Sequence, residues 1–257
     1  MSHDFKKYKF LKKIIGLIGY KLVDKNYTKL ERSLEKYTIE VKDILKPLIK
    51  KKKIKKIIQV GANDGKTDDF LSDLFNKELD AILIEPIEGA FKRLKENYKT
   101  FKNIKCLNFA VGLNNHEKKI YTTDIKDKKY YQKKFKSDNV EFLDVLSSFD
   151  KNHLIKHGIK NKDITSKIIN CITFKQLIED YNYQDLDLLT IDTEGFDYTL
   201  VNNFIDTINL KPLIIFEWMH IKDSELIVLL KKLKKKDYLF VKIGKDLIVY
   251  QEDFLFN

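Results

Sequence analysis

Residues Ile57–Gly65 read Ile-Ile-Gln-Val-Gly-Ala-Asn-Asp-Gly, and this stretch decides the fold. A short apolar run closed by turn residues reads as a buried strand. Gly61 and Gly65 fall just where the run stops. A glycine turn at a strand's carboxyl end lets backbone N–H groups approach a ligand closely, either a phosphate or the polar part of a nucleoside. The next apolar run, Ala81–Ile84, ends in Glu85, where a carboxylate suits a ribose diol. Together the two strand ends point to a nucleoside-containing cofactor on a doubly wound sheet.

The alternation continues outward from there. Strands are expected at Lys55–Val60, Ala81–Ile84, Ile104–Phe109, Leu186–Ile191 and Leu213–Phe216. Helices are expected at Asp68–Phe75, around Phe91, Leu94 and Tyr98, at Phe174–Tyr181 with Thr173 as its cap, at Tyr198–Ile205 and at Ser224–Lys235. Leu186–Ile191 is almost unbroken in its hydrophobicity, which suits a central parallel strand covered on both faces. Tyr238–Ile243 and Leu247–Tyr250, separated by Gly244-Lys245-Asp246, read as a terminal hairpin. Lys118–Thr122 alternates and reads as an extra strand. Residues 124–163 are polar and too long for an ordinary connection, where about 2–6 residues suffice. Such an insertion reads as a lid or substrate-binding loop.

Before this core, residues 1–50 form a basic helical extension. Phe5–Leu22 has amphipathic spacing, and a second helix from Lys29 to Leu48 is expected to end at Pro47. The extension could pack on the main domain, residues 51–257, pair with a second copy, or touch a membrane surface.

The chain has 257 residues, 43% of them hydrophobic, a formal net charge of +11 and a pI near 9.2. That charge attracts anionic partners. Arginine is scarce, however, and base and phosphate readout favours arginine, so nucleic acid is disfavoured. Cys106 and Cys171 sit in apolar strand-like contexts, as buried thiols of a reducing compartment do. No apolar run approaches the ~20 residues needed to span a bilayer. Cytoplasm, with the inner face of the membrane as an alternative site, is the expected location.

Polar clusters fall at the strand ends, where open α/β sheets bind ligands. They are Gly61-Ala62-Asn63-Asp64-Gly65, Glu85-Pro86, Asn108, Asp192-Thr193-Glu194-Gly195-Phe196-Asp197, and Glu217-Trp218 with His220. Carboxylates this dense need a cation, a basic residue or a hydrogen-bonding ligand. A divalent cation, magnesium or manganese, on Asp192 and Glu217 stays open. So does metal-free proton transfer by Asp192, Glu194, Glu217 or His220. Trp218 could stack on the flat face of a sugar. Ser148, His153 and His157 lie in the insertion and are expected to touch substrate. The two histidines share an i,i+4 spacing but lack the glutamate of the zinc-peptidase pattern, so metal is not expected there. The turn lacks both the P-loop lysine and the full dinucleotide glycine spacing. A cofactor without a pyrophosphate, such as S-adenosylmethionine, relaxes both requirements.

In five pieces the chain resembles the FkbM family of S-adenosylmethionine-dependent methyltransferases. They are Val60–Gly65, Ile84-Glu85-Pro86, Asn108–Gly112, Ile191–Asp197 and Phe216-Glu217. The resemblance implies an α/β class I methyltransferase (Rossmann-like) fold, with a seven-stranded, mostly parallel sheet and a C-terminal antiparallel hairpin. It implies O-methylation, with sugar hydroxyls of polysaccharides, glycolipids or nucleotide-linked sugars among the acceptors. It places Gln59, Gly61, Ala62, Asn63, Asp64, Gly65, Glu85, Pro86, Asn108 and Asp192 at the cofactor. Asp192 and Glu194 are set at the transfer centre. One departure stands out: many members carry Asp where this chain has Gln59, and Asp64 is the nearby carboxylate that could substitute. The rival readings are a nucleotide-sugar-modifying enzyme and a non-catalytic basic binding protein on the same fold.

Overall fold

The structure is a computed structural model, and it describes residues 39–136, 143 and 146–256. The helix expected over Phe5–Leu22 and the first part of the one from Lys29 lie outside the described residues. The main unit, Glu40–Asn257, is organised on a seven-stranded sheet in the order β3-β2-β1-β7-β8-β10-β9. Its strands are β1 (Lys56–Val60), β2 (Asp80–Ile84), β3 (Ile104–Leu107), β7 (Leu188–Ile191), β8 (Leu213–Glu217), β9 (Leu239–Ile243) and β10 (Asp246–Tyr250). All neighbouring pairs are parallel except the two that β10 makes with β8 and β9. This is the class I methyltransferase sheet, with the expected antiparallel hairpin at its end.

Strict alternation along these strands divides the core into two layers. Ile58, Val60, Ile82, Ile84, Leu189, Ile191, Ile214 and Phe216 face one side. There they meet α5 (Phe174–Tyr181), α6 (Asp197–Thr207) and α7 (Asp223–Lys235) through Phe174, Leu177, Leu200, Phe204, Leu229 and Leu233. Ile57, Ala81, Leu83, Leu188, Leu213 and Ile215 face the other side, against α1 (Val41–Lys50) and the carboxyl end of α2 (Glu88–Asn97). A period of two buried on both faces is what a sheet sandwiched by helices requires.

Three local outcomes differ from the sequence reading. The main unit begins at Glu40, and α1 lies in its core through Val41, Leu45 and Leu48. Helix α1 also runs through Pro47 to Lys50 instead of ending there. A proline inside a helix costs about 3 kcal/mol, whereas burying Leu45 and Leu48 recovers about 1.5–3 kcal/mol each. Residues 68–75 form successive turns, not a helix. Asp68 takes a left-handed φ of 54°, and the Asp69 carboxylate accepts from Leu71 N–H at 2.8 Å. Such local bonding competes with the helical ladder. Leu71, Leu74 and Phe75 are buried nonetheless.

A second, three-stranded sheet, β4-β6-β5, carries the insertion. β4 is Ala110–Val111, β5 is Glu117–Thr123, and β6 spans Ile164–Ile172, well before the Cys171-Ile172 pair legible in the sequence. β5 and β6 pair antiparallel from Glu117↔Asn170 to Thr123↔Ile164. Between them lie α3 (Lys128–Phe135) and α4 (Lys151–Lys156), which share a small core of Tyr131, Leu143, Leu154 and Ile159. The Tyr131 hydroxyl donates to Asp163 at 2.8 Å and accepts from Lys160 N–H at 2.9 Å. Tyr121 and Ser148 exchange backbone hydrogen bonds of 2.9 and 3.0 Å, pinning the Ser148 segment to β5. Among the described residues, no helix is long and apolar enough to cross a membrane.

Candidate active site

A cleft opens over the carboxyl ends of β1, β2 and β7. Its first wall is the turn after β1. Gly61 has φ +83°, and a Cβ there would lie 1.7 Å from the carbonyl oxygen of Asp192. Only glycine permits that contact between the tips of β1 and β7. Gly61 N–H and Ala62 N–H both donate to Ile84 O, at 3.0 and 2.9 Å, tying the turn to β2. Glu85 is buried, and its carboxylate accepts from Asn63 N–H at 2.9 Å and Ile87 N–H at 2.7 Å. The cradle is therefore set by main-chain geometry around one carboxylate.

Gln59, where the charge was expected to be missing, donates from Nε2 to Asp69 at 3.1 Å. Asp69 lines the cleft, so a carboxylate returns from ten residues further along the chain. Burial pushes its carboxyl above the ordinary range. Asp64, the expected substitute, turns back on its own loop. It accepts from Lys66 N–H, Thr67 N–H and the Thr67 hydroxyl at 2.7–2.9 Å.

Among the described residues, four buried polar atoms lack a protein partner: Gln59 Oε1, Asn63 Oδ1, Thr190 Oγ1 and Thr193 Oγ1. All four side chains line the cleft. Each unmet group costs about 1–3 kcal/mol. A ligand rich in hydroxyl and amino groups would satisfy them, and an adenosyl amino acid has both kinds. The residues present fit that group.

The second wall is the acidic edge after β7 and β8. Asp192 and Glu194 line the cleft, and Glu217 is buried beside them. Lys245, in the hairpin turn, places Nζ 3.6 Å from Asp192 and 3.2 Å from Asp68. Burial alone would lower the Lys245 ammonium's pKa, but Asp192 and Glu217 outweigh it and raise it. This lysine is a basic residue of the kind the sequence reading named, beside the divalent cation it left open, as an answer to the dense carboxylates. Burial also raises Asp192. Burial, then Asp192, lifts Glu217 to about 7, with Lys245 acting the other way. Asp246, opposite Glu217 across β10–β8, is raised to about 6, mainly by burial. Asp197 closes the turn by accepting from Thr193 N–H and Gly195 N–H at 3.2 Å, a structural role.

Above Glu194 stand three imidazoles. His153 Nε2 lies 3.0 Å and His220 Nε2 3.6 Å from Glu194 Oε2. His157, one turn along from His153, sets its ring centroid 4.4 Å from that of His153 at a 33° tilt and 5.4 Å from that of His220, edge-on at 67°. Burial, then the His153 charge, lowers the His157 pKa. The Ser148 hydroxyl donates to Glu194 O at 2.9 Å, fixing the acidic turn against the insertion.

Not every expected residue faces the cleft. Asn108 donates to Glu85 O and Pro86 O at 2.9 and 3.2 Å, bracing the β2 loop from outside the cleft lining. Gly65 is packed against α2, where a Cβ would meet Tyr98 at 2.4 Å, and its carbonyl accepts from the Tyr98 hydroxyl at 2.6 Å. Trp218 also lies outside the cleft lining. Its Nε1 donates to Gly244 O at 3.2 Å, and Lys242 Nζ sits 4.6 Å from its ring. The indole thus braces the hairpin. Asp64, Glu217, His153, His157 and His220 also lie outside the lining, whereas Gln59, Gly61, Ala62, Asn63, Glu85, Pro86, Ser148, Asp192 and Glu194 share the one cleft. Sequence reasoning missed Asp69, Lys245 and Asp246. The Gly244-Lys245-Asp246 run was visible but read only as a turn.

The sequence pattern of the Methyltransferase FkbM domain matches residues 59–240, spanning both walls of this cleft. The chain belongs to the FkbM methyltransferase family. Among solved structures it is similar to the methyltransferase FkbM of Methylobacillus flagellatus KT. The two are 14% identical over 77% of this chain and 44% of that one, with a TM-score of 0.47. It is also similar to a methyltransferase from Geobacter sulfurreducens, 9% identical over 94% of each chain, with a TM-score of 0.39. The chain therefore spans less than half the length of the Methylobacillus FkbM protein. No curated protein matches it.

Proposed function

We propose that this FkbM protein is an S-adenosylmethionine-dependent O-methyltransferase whose acceptor is a carbohydrate hydroxyl on a polysaccharide, a glycolipid or a nucleotide-linked sugar. The observation that carries the reading is a single cleft lined by the Gly61 turn, Glu85, Asp192 and Glu194 together. When bound, the cofactor supplies an electrophilic methyl group on a sulfonium. Glu85, oriented by Asn63 N–H and Ile87 N–H, holds the ribose hydroxyls. The orphan atoms of Gln59, Asn63, Thr190 and Thr193 take the amino-acid and sugar polar groups. Glu194 receives the acceptor's hydroxyl proton, with His153 and His220 holding its carboxylate in place. Apolar lining from Ile84, Val111, Ile120 and Phe149 keeps water from competing. The net charge of +11 favours an anionic acceptor.

Calorimetric titration with S-adenosylhomocysteine tests the cofactor half. Saturable heat and a thermal upshift are expected, and neither at millimolar ligand would remove it. Methyl transfer from labelled cofactor to a panel of glycans tests the acceptor half. Transfer only to amine or carbon nucleophiles would overturn it.

A further inference from the structure

We propose that His153, His157 and His220, with Glu194 Oε2, form a binding site for one divalent transition-metal ion, of which zinc is the probe. One ligand nitrogen from each of the three histidines lies within 4.8 Å of the others, with burial ranging from full to partial. Zinc–imidazole bonds of about 2.0–2.1 Å set tetrahedral nitrogens about 3.3 Å apart. Small ring rotations close that gap. Two elements contribute independently. His153 and His157 lie one turn apart at the end of α4, a spacing that puts two imidazoles on one metal, and His220 follows β8 from the far side.

The geometry suits an ion. Two imidazoles, His153 and His220, aim Nε2 at the same carboxylate oxygen. The centroid of a third ring, His157, lies 4.4 and 5.4 Å from theirs. Were the rings cationic, one carboxylate would answer three like charges. Were they neutral, His153 and His220 could each turn an Nε2–H toward that oxygen, and a bound ion would take the place of those protons. A divalent ion turns that crowding into ligation. Three nitrogens and one oxygen favour zinc, iron, cobalt, nickel or copper over magnesium or manganese. Monodentate ligation through Oε2 leaves Oε1 of Glu194 toward the cleft. The zinc-peptidase pattern is absent because Leu154 stands where that pattern has its glutamate, which is a general base and not a ligand.

Ion capture does not depend on the methyl-transfer reading, and it is measured without cofactor or acceptor. The untagged full chain, stripped with chelator and dialysed, is titrated with zinc by calorimetry. The cobalt-loaded protein is then examined for tetrahedral ligand-field absorption. One ion per chain is expected. His157→Ala and His220→Ala should each weaken binding by about 10-fold or more, while His116→Ala leaves it unchanged. No saturable binding, or binding that survives both substitutions, would overturn the proposal. If either variant fails to fold, protection from diethyl pyrocarbonate in the wild type decides. Zinc should shield these three imidazoles while His116 still reacts, and equal reactivity with and without zinc would overturn the site.

Discussion

At the β1–β2 end of the cleft the contacts are largely main-chain: Gly61 and Ala62 on Ile84 O, with Asn63 and Ile87 on Glu85. At the β7–β8 end they are side chains gathered from remote segments. Glu194 meets His153 from 41 residues away, and Lys245 meets Asp68 across 177. A backbone cradle has one shape whatever ligand it faces. A wall of side chains on loops can be rebuilt by substitution without disturbing the sheet. The first end suits an invariant cofactor and the second a variable acceptor.

The sharpest way to break this contrast is at its seam. Gly61→Ala should cost more than about 3 kcal/mol, because the left-handed φ and the Asp192 carbonyl both oppose a Cβ. Thermal denaturation checks it, and a wild-type melting curve would mean that the two strand tips do not touch. Next comes Glu85→Gln, which should weaken S-adenosylhomocysteine binding by about 10-fold while the fold persists, since a hydrogen bond to a charged group is worth about 1.5–3 kcal/mol. Calorimetry reads it. An unchanged affinity would take the ribose away from this carboxylate.

The acidic end should declare itself through pH. Glu217 is raised to about 7 in the folded chain, so folding favours its protonated form. Its contribution is present below the ordinary glutamate range, near 4.3, and is lost as pH rises through about 7. Melting temperature should therefore fall over that window, and Glu217→Gln should flatten the fall. Lys245→Met removes the charge that holds Glu217 down, so the fall should move to higher pH. A shift in the opposite direction would mean that the lysine does not act on this carboxylate. The smallest effect belongs to Trp218→Phe, which loses one partly exposed bond to Gly244 O. Stability should drop by about 1 kcal/mol or less and cofactor affinity should not move. A loss of acceptor binding would return the indole to the substrate side.

The sheet was legible because strands buried on both faces and closed by turn residues carry their signal locally. The strands expected at Lys55–Val60 and Leu186–Ile191 are found where that pattern puts them, trimmed by a residue or two. The helix expected at 68–75 failed because apolar spacing was right while Asp68 and Asp69 chose turn bonding, a competition that periodicity does not register. Glu85 and Gly61 were recognisable as strand-end residues. Lys245 was not, because its role depends on β10 pairing Asp246 with Glu217, a register that no local window contains. The histidine cluster was half legible. His153 and His157 announce a shared helix face, but nothing in their neighbourhood points to His220.

The Gln59–Asp69 hydrogen bond has a consequence for how this chain can change. An aspartate at position 59 would turn a second carboxylate toward Asp69, and burial together with the like charge would drive one of the two to hold a proton. The cost of that substitution should therefore grow with pH, and neutralising residue 69 should remove it.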